Sequence, residues 1–244
     1  MLPIYLTPAS ISYLTQIILS GVISIYLLIV LQRRTAWNWQ TRLLIAFFLT
    51  LTTFVILLFL ETTLTGAPRL YFLYVENFVL SLALVFLLQF AYHFPALYPN
   101  RKIERRTALG LSLLYALYEA QIAVNRFSQL LGAGQVDFRP STPDYVMGLI
   151  LAWIPVAFLR QSLAGDARPL SWLSKLRTPQ NPGARRAREF AVIYFQLILL
   201  GLVNLLRTEL IFPELIYNIL VSVGILVIIW LFASRYIGVI PGGT

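Results

Sequence analysis

Seven stretches of this chain run for a bilayer's width with almost no charge: 11–32, 43–64, 71–94, 107–131, 145–163, 190–210 and 215–233. A helix needs roughly 20 mostly apolar residues to cross the hydrocarbon core of a membrane. Lipid offers no water to backbone N–H and C=O groups, so only helices and closed barrels can span it. These runs are continuous rather than alternating, which selects helices. The expected fold is therefore an all-α membrane protein. It is a seven-transmembrane-helix bundle forming one domain over residues 1–235, with 236–244 as a tail or the start of a linker. Composition agrees, since only 12% of the residues are charged and 59% are hydrophobic, whereas about a quarter of a soluble domain is charged.

The basic residues orient the bundle. With seven spans and the N-terminus outside, fifteen of the nineteen Lys and Arg residues fall on the inner side, from Arg33 and Arg34 through Arg101, Lys102, Arg105 and Arg106 to Arg185, Arg186, Arg188 and Arg235. The outer side keeps Arg69, Arg126, Arg139 and Arg207. Cytoplasmic loops carry the excess of Lys and Arg, so the N-terminus is expected outside and the C-terminus in the cytoplasm. The first ten residues hold no Lys or Arg, and thus lack the basic region of a cleavable signal peptide. Trp37, Trp39, Trp172, Tyr92 and Tyr236 fall near the expected interfaces, where aromatic side chains gather.

Proline sits mostly at span ends, but Pro155 lies inside the fifth, where it is expected to kink the helix and free a carbonyl. The one long connection, 164–189, is polar, basic and rich in Pro and Gly. Within it "LSWLSKL" reads either as a short amphipathic turn on the membrane surface, its basic residues near anionic headgroups, or as a solvated loop whose charge sets topology.

Ionisable groups inside spans are costly and mark functional positions. Here they gather in the outer half: Glu61, Glu76 and Asn77, Glu119, Gln121, Asn125 and Arg126, Asn204, Arg207 and Glu209, Glu214 and Asn218. Glu119 is the deepest acid, and Arg207, then Arg126, are its expected counter-charges. Asn204, Arg207 and Thr208 share a helix face at spacings of three and four. Two readings follow. One is a set of structural ion pairs and amide hydrogen bonds. The other is an outward-facing polar cavity whose ligand-binding residues are Glu119, Arg126, Asn204, Arg207, Glu76, Asn77 and Asn218.

Several chemistries find no support. There is no GxxxxGK[ST], GxGxxG or HExxH sequence. One histidine and no cysteine give no metal site, haem or other cofactor, and no thiol nucleophile. The two lysines, Lys102 and Lys175, are in inner loops, so no span offers a Schiff-base amine. No close carboxylate pair points to catalysis, no catalytic residue is assigned, and the chain is not expected to be an enzyme. Nucleic-acid binding lacks a basic platform interleaved with aromatics.

The third span leaves the membrane through "LQFAYHFPALYPNRK", with Tyr92, His93, Phe94 and Pro95 followed by Arg101 and Lys102. This resembles the seven-transmembrane input regions at the N-terminus of some bacterial sensor histidine kinases and related receptors. The resemblance implies a bacterial inner-membrane receptor, with ligand sensed outside and a cytoplasmic output domain or partner protein inside. His93 itself is expected to be an interfacial anchor. The function expected from the whole is a sensory module that binds an extracellular or membrane-borne small ligand and signals by helix rearrangement. The alternatives are a small-solute transporter or a non-catalytic structural subunit of a membrane complex. The expected partners are the lipid bilayer and, in a homodimer, a second copy of the chain.

Overall fold

The computed structural model describes residues 6–33, 39–64, 67–133, 142–164, 166, 168–179, 181–208, 219, 222–227 and 229–230. Their elements are helical: α1 (Pro8–Arg33), α2 (Trp39–Thr63), α3 (Ala67–His93), α4 (Lys102–Ala133), α5 (Thr142–Ala164), α6 (Trp172–Arg177) and α7 (Pro182–Thr208), with a 3₁₀ turn at Pro99–Arg101 before α4. Residues 222–227 and 229–230 are also helical. Five helices, α1 to α5, are long and apolar enough to cross a bilayer, as in a multi-pass membrane protein. The sixth expected span, 190–210, overlaps α7 as far as Thr208, and the seventh, 215–233, is described only in part.

Local chemistry sets the helix starts. Thr7 precedes Pro8 and stands three residues before Ser10. The Ser10 amide donates to Thr7 Oγ1 at 3.1 Å and the Thr7 amide to Ser10 Oγ at 2.8 Å, a reciprocal cap on α1. Ser171 accepts from the Ser174 amide at the start of α6, and Asn181 Oδ1 from the Ala184 amide at the start of α7. Pro155 is buried inside α5, where it cannot donate to the Leu151 carbonyl.

What the helices bury identifies their solvent. On α1 the inward residues are Ser10, Tyr13, Gln16, Ser20, Ile23, Ser24 and Leu27, while Ile11, Leu14, Ile18, Val22, Ile25 and Ile29 are exposed. That is a soluble helix turned inside out, since a helix in water hides its aliphatic stripe. On α4 the buried face is Ala108, Ser112, Tyr115, Ala116, Glu119 and Ala123, and the exposed one carries Leu111, Leu113, Leu114, Leu117 and Val124. Small and polar residues between helices, with large aliphatics outside, are the arrangement lipid imposes. Tails solvate Leu as well as a neighbouring helix does, so close packing and hydrogen bonds drive association instead.

α3 is central, packed against α2, α4 and α5, while α1 lies on α2 and α7 on α5. The core is largely aromatic where α3, α5 and α7 meet. Phe90 of α3 and Phe94 just after it, Phe158 of α5, and Phe190 and Tyr194 of α7 touch in sequence, with Phe94–Phe190 centroids 5.2 Å apart and Phe158 stacked on Tyr194 at 5.4 Å. The polar face of α1 closes against the C-terminal helical residues. Gln16 Nε2 donates to the Ser222 carbonyl at 2.9 Å and to its Oγ at 2.6 Å, and Ser12 Oγ bonds the same hydroxyl. Ser20 and Ser24 return their protons to carbonyls one turn back, at 2.7 and 2.8 Å.

Replacing Gln16 with Leu removes two interhelical bonds at a buried position. Such bonds in membranes contribute about 0.6 kcal/mol on average and up to about 1.7, so unfolding in mixed detergent should show a loss of about 1 kcal/mol. A double cycle with Ser222→Ala, which keeps the carbonyl acceptor, should return as coupling the share carried by the hydroxyl. No coupling would mean that the Gln16 amide does not reach the Ser222 hydroxyl.

Candidate functional site

The antiparallel run of the helices brings the starts of α2, α4 and α7 to the same end as the finishes of α3 and α5. Arg42, Arg101, Lys102, Arg105, Arg106, Arg160, Lys175, Arg177, Arg185, Arg186 and Arg188 share that basic end. The opposite end holds the Thr7 cap, the finish of α2, the start of α3 and the far part of α4.

At the opposite end, an ion pair of 3.1 Å joins Glu61 of α2 to Arg69 of α3. Tyr74 is buried on α3, and the Arg126 guanidinium of α4 lies over its ring at 5.8 Å, a cation–π distance. Phe127 stacks on Tyr71 at 5.2 Å and meets Tyr74 edge-on at 5.8 Å. Glu76 and Glu119 are both buried. The Tyr115 hydroxyl, one turn back on α4, donates to Glu119 Oε1 at 2.7 Å. Tyr92 meets Glu104 at one end of the α3–α4 pair and Tyr71 meets Phe127 at the other, so the register sets Glu76 and Glu119 at about one level. Asn77 is half-buried beside Glu76, and its carbonyl accepts from Ser81 Oγ at 2.8 Å.

The structure thus brings Glu76, Asn77, Glu119 and Arg126 to the same region of α3 and α4, with Arg126 on Tyr74. Asn204 and Arg207 belong to α7, but their side chains lie outside the described residues, as does Asn218 altogether.

The basic end is a dense polar node. Tyr92 is 1% exposed, so it faces the bundle and not the headgroups, a correction to its placement in an aromatic belt. Its hydroxyl donates to Glu104 Oε1 at 2.9 Å and accepts from Trp153 Nε1 at 2.9 Å. Its carbonyl accepts from Gln161 Nε2 at 2.8 Å. Glu104 also pairs with Arg160 at 2.9 Å and Arg101 at 3.2 Å. One carboxylate therefore ties α3, α4 and α5 together. Gln40 of α2 joins them, its Nε2 donating to the carbonyls of His93 and Pro95 at 2.6 and 3.0 Å. These carbonyls follow the last turn of α3 and have no helical donor of their own. His93 is buried, with Nδ1 2.7 Å from the Gln89 carbonyl. At Gly183 an added Cβ would stand 2.8 Å from Pro95 Cβ, so only glycine lets α7 start this close to the end of α3.

Beyond α5 the chain is clamped. Arg168 grips the Asp166 carboxylate through Nε at 2.9 and 3.1 Å and Nη2 at 2.5 Å, and reaches the Thr178 carbonyl at the end of α6. Lys175 Nζ donates to the Asp166 carbonyl at 2.9 Å. Arg188 of α7 donates to the carbonyls of Leu176 and Arg177 at 2.6 and 3.1 Å. Cations thereby cover the carbonyl end of α6.

Among the described residues no group of His, Cys, Asp or Glu is placed to hold a metal. Sequence reading missed the two features that organise the basic end, Glu104 and Tyr92. The signal for Glu104 was an acid within "NRKIERR", where four basic residues invite a pair. Comparison with protein-family models, with curated proteins and with solved structures finds no match to this chain.

Two outcomes test the basic end. Glu104→Gln leaves Tyr92 an acceptor but strips Arg101 and Arg160 of their counter-charge, and unfolding should show a loss of about 1–2 kcal/mol. Arg160→Gln alone should cost less than about 1 kcal/mol, because that side chain is half-exposed and its pair is screened. In the clamp, the Arg168 guanidinium holds the Asp166 carboxyl down at about 2, below the usual value of about 3.9. A depressed carboxyl stabilises the folded loop above its ordinary pKa and loses that contribution as pH falls through the lower value. A nitroxide at Pro169→Cys should therefore be immobile at neutral pH and become mobile between about pH 4 and pH 2. In Asp166→Asn it should be mobile already at pH 7.

Proposed function

We propose that this chain is the transmembrane input module of a membrane receptor. It has seven spans with the N-terminus outside, sits in the bacterial inner membrane, and takes a small ligand among Glu76, Asn77, Glu119, Arg126, Asn204, Arg207 and Asn218. The observation that carries this reading is the unequal build of the two ends. The basic end is cross-braced by Glu104, Tyr92 and Gln40. The opposite end holds two buried acids, a half-buried arginine and a Tyr–Phe cluster along α3 and α4. Ionisable side chains at membrane depth are expensive to retain without a role. The aromatic core joining α3, α5 and α7 offers a rigid route by which a shift at one end would reach the other, provided the ligand binds two helix arrangements with different affinity. An output domain or partner protein on the cytoplasmic side would read that shift.

The absence of native cysteine makes the orientation directly testable. Thr7→Cys should react with an impermeant maleimide added outside intact cells, and Lys102→Cys should react only after the membrane is opened. The reverse pattern would invert the topology. For the site, a thermal-shift screen of small acids, amines and polar metabolites should yield a compound that stabilises the wild type but neither Glu119→Gln nor Glu76→Gln. At 100 times its Kd such a ligand adds about 2.7 kcal/mol. Stabilisation that survives both substitutions would remove the site from this cluster. Solute flux through liposomes containing the protein alone would favour a carrier instead.

A further inference from the structure

The α6 loop, which the receptor reading leaves without a role, carries an apolar tip on a braced cationic base. Leu170, Trp172 and Leu173 are 45%, 62% and 61% exposed, although three large apolar side chains in a chain this hydrophobic would ordinarily fold back onto the bundle. They are held out by structure. Ser171 caps α6, Arg168 spans from Asp166 to Thr178, Lys175 reaches the Asp166 carbonyl, and Arg188 holds the last carbonyls of α6. A tip fixed outward by so many bonds is shaped to meet something.

The charge around it says what. The segment 164–189 holds six basic and two acidic residues. Asp166 is committed to Arg168, and Glu189 pairs with Arg185 at 3.2 Å. Lys175, Arg177, Arg186 and Arg188 keep their charge, the bonds of Lys175 and Arg188 going to neutral carbonyls. The loop follows directly on the end of α5 and precedes the start of α7, so it lies at the level where the helices leave the hydrocarbon. Trp39, Leu97 and Ile103 are exposed at the same end, at 53%, 53% and 81%. Aromatic and aliphatic side chains at headgroup depth beside unpaired cations match one surface, a leaflet rich in anionic lipid.

We propose that the α6 loop is a binding site for anionic phospholipid headgroups: Leu170, Trp172 and Leu173 enter the acyl boundary, and Arg177 and Arg186, with Lys175 and Arg188 behind them, contact the phosphates. The site fixes the basic end of the bundle to the bilayer surface and makes the setting of α5 and α7 sensitive to lipid charge. It stands whether or not the opposite end binds a ligand, and whichever way the chain is oriented.

The test uses the full chain in vesicles of phosphatidylcholine mixed with phosphatidylglycerol, one lipid brominated at a time. Bromine quenches tryptophan on contact, and the Trp172 signal is the difference between wild type and Trp172→Phe. Brominated phosphatidylglycerol should quench Trp172 more strongly than brominated phosphatidylcholine at equal mole fraction, and added salt should erase the preference. Arg177→Gln combined with Arg186→Gln should weaken the preference about tenfold. Those two side chains form none of the loop's bracing bonds, and an unchanged melting profile checks that the fold is retained. Equal quenching by the two lipids would overturn headgroup recognition. Quenching of Trp172 by aqueous iodide with no effect of either brominated lipid would show a solvated loop and overturn the proposal entirely.

Discussion

A bilayer does not solvate polar groups, and the placing of the polar side chains in this bundle follows from that constraint. The hydroxyls and amides of α1 point inward because nothing outside can receive their hydrogen bonds. Ser20 and Ser24 fold back on their own helix, and Gln16 crosses to Ser222. The aliphatic side chains point outward because lipid accepts them without cost. In water the same α1 would expose Ile11, Leu14, Ile18 and Val22 and aggregate along that stripe.

The constraint also explains why the two ends of the bundle differ. Where the chain leaves the membrane at the basic end, the final carbonyls of α3 lose their helical donors and are taken up by Gln40 and Gln161. Arg101 and Arg160 converge on Glu104, the one acid in the basic stretch 101–106. Four helices are thereby joined over a few ångströms, and Gly183 lets a fifth approach. At the other end the acids are buried deeper and are spread along α3 and α4, with aromatic rings between them. In the receptor reading proposed above, the basic end is the fixed one and the polar interior at the other end is where the bundle changes shape.

Much of the fold was legible in the sequence, because lipid reduces the prediction to length and hydropathy. The expected runs 43–64, 71–94 and 145–163 match α2, α3 and α5 within a few residues at each end. α4 begins at Lys102 rather than 107, because once Pro99 starts a turn nothing in the charged stretch "KIERR" stops a helix. Its 32 residues extend about 48 Å, well past the hydrocarbon. "LSWLSKL" was read either as an amphipathic turn or as a solvated loop, and the structure places the short helix α6 within it. The short-range patterns were harder. Ser10, Gln16, Ser20 and Ser24 share one face of α1 at helical spacing, a legible signal that hydropathy averages conceal. Glu104 was hidden because its partners Tyr92 and Arg160 stand 12 and 56 positions away in the chain, and pairing across helices is written in packing rather than in periodicity. In the candidate site, burial of Glu76 and Glu119 followed from their depth, whereas the seating of Arg126 on Tyr74 needed the register of α3 against α4.

The central claim is that α1 and α4 turn aliphatic side chains to lipid and their polar and small side chains to the bundle. The most direct measurement is a nitroxide scan along α1 in vesicles, comparing collision with oxygen, which concentrates in lipid, and with a water-soluble nickel chelate. The account predicts oxygen accessibility peaking at Ile11, Leu14, Ile18, Val22, Ile25 and Ile29, with minima for both reagents at Tyr13, Gln16, Ser20 and Ser24. A nickel signal through the middle of α1, or oxygen peaks on the Gln16 face, would contradict it.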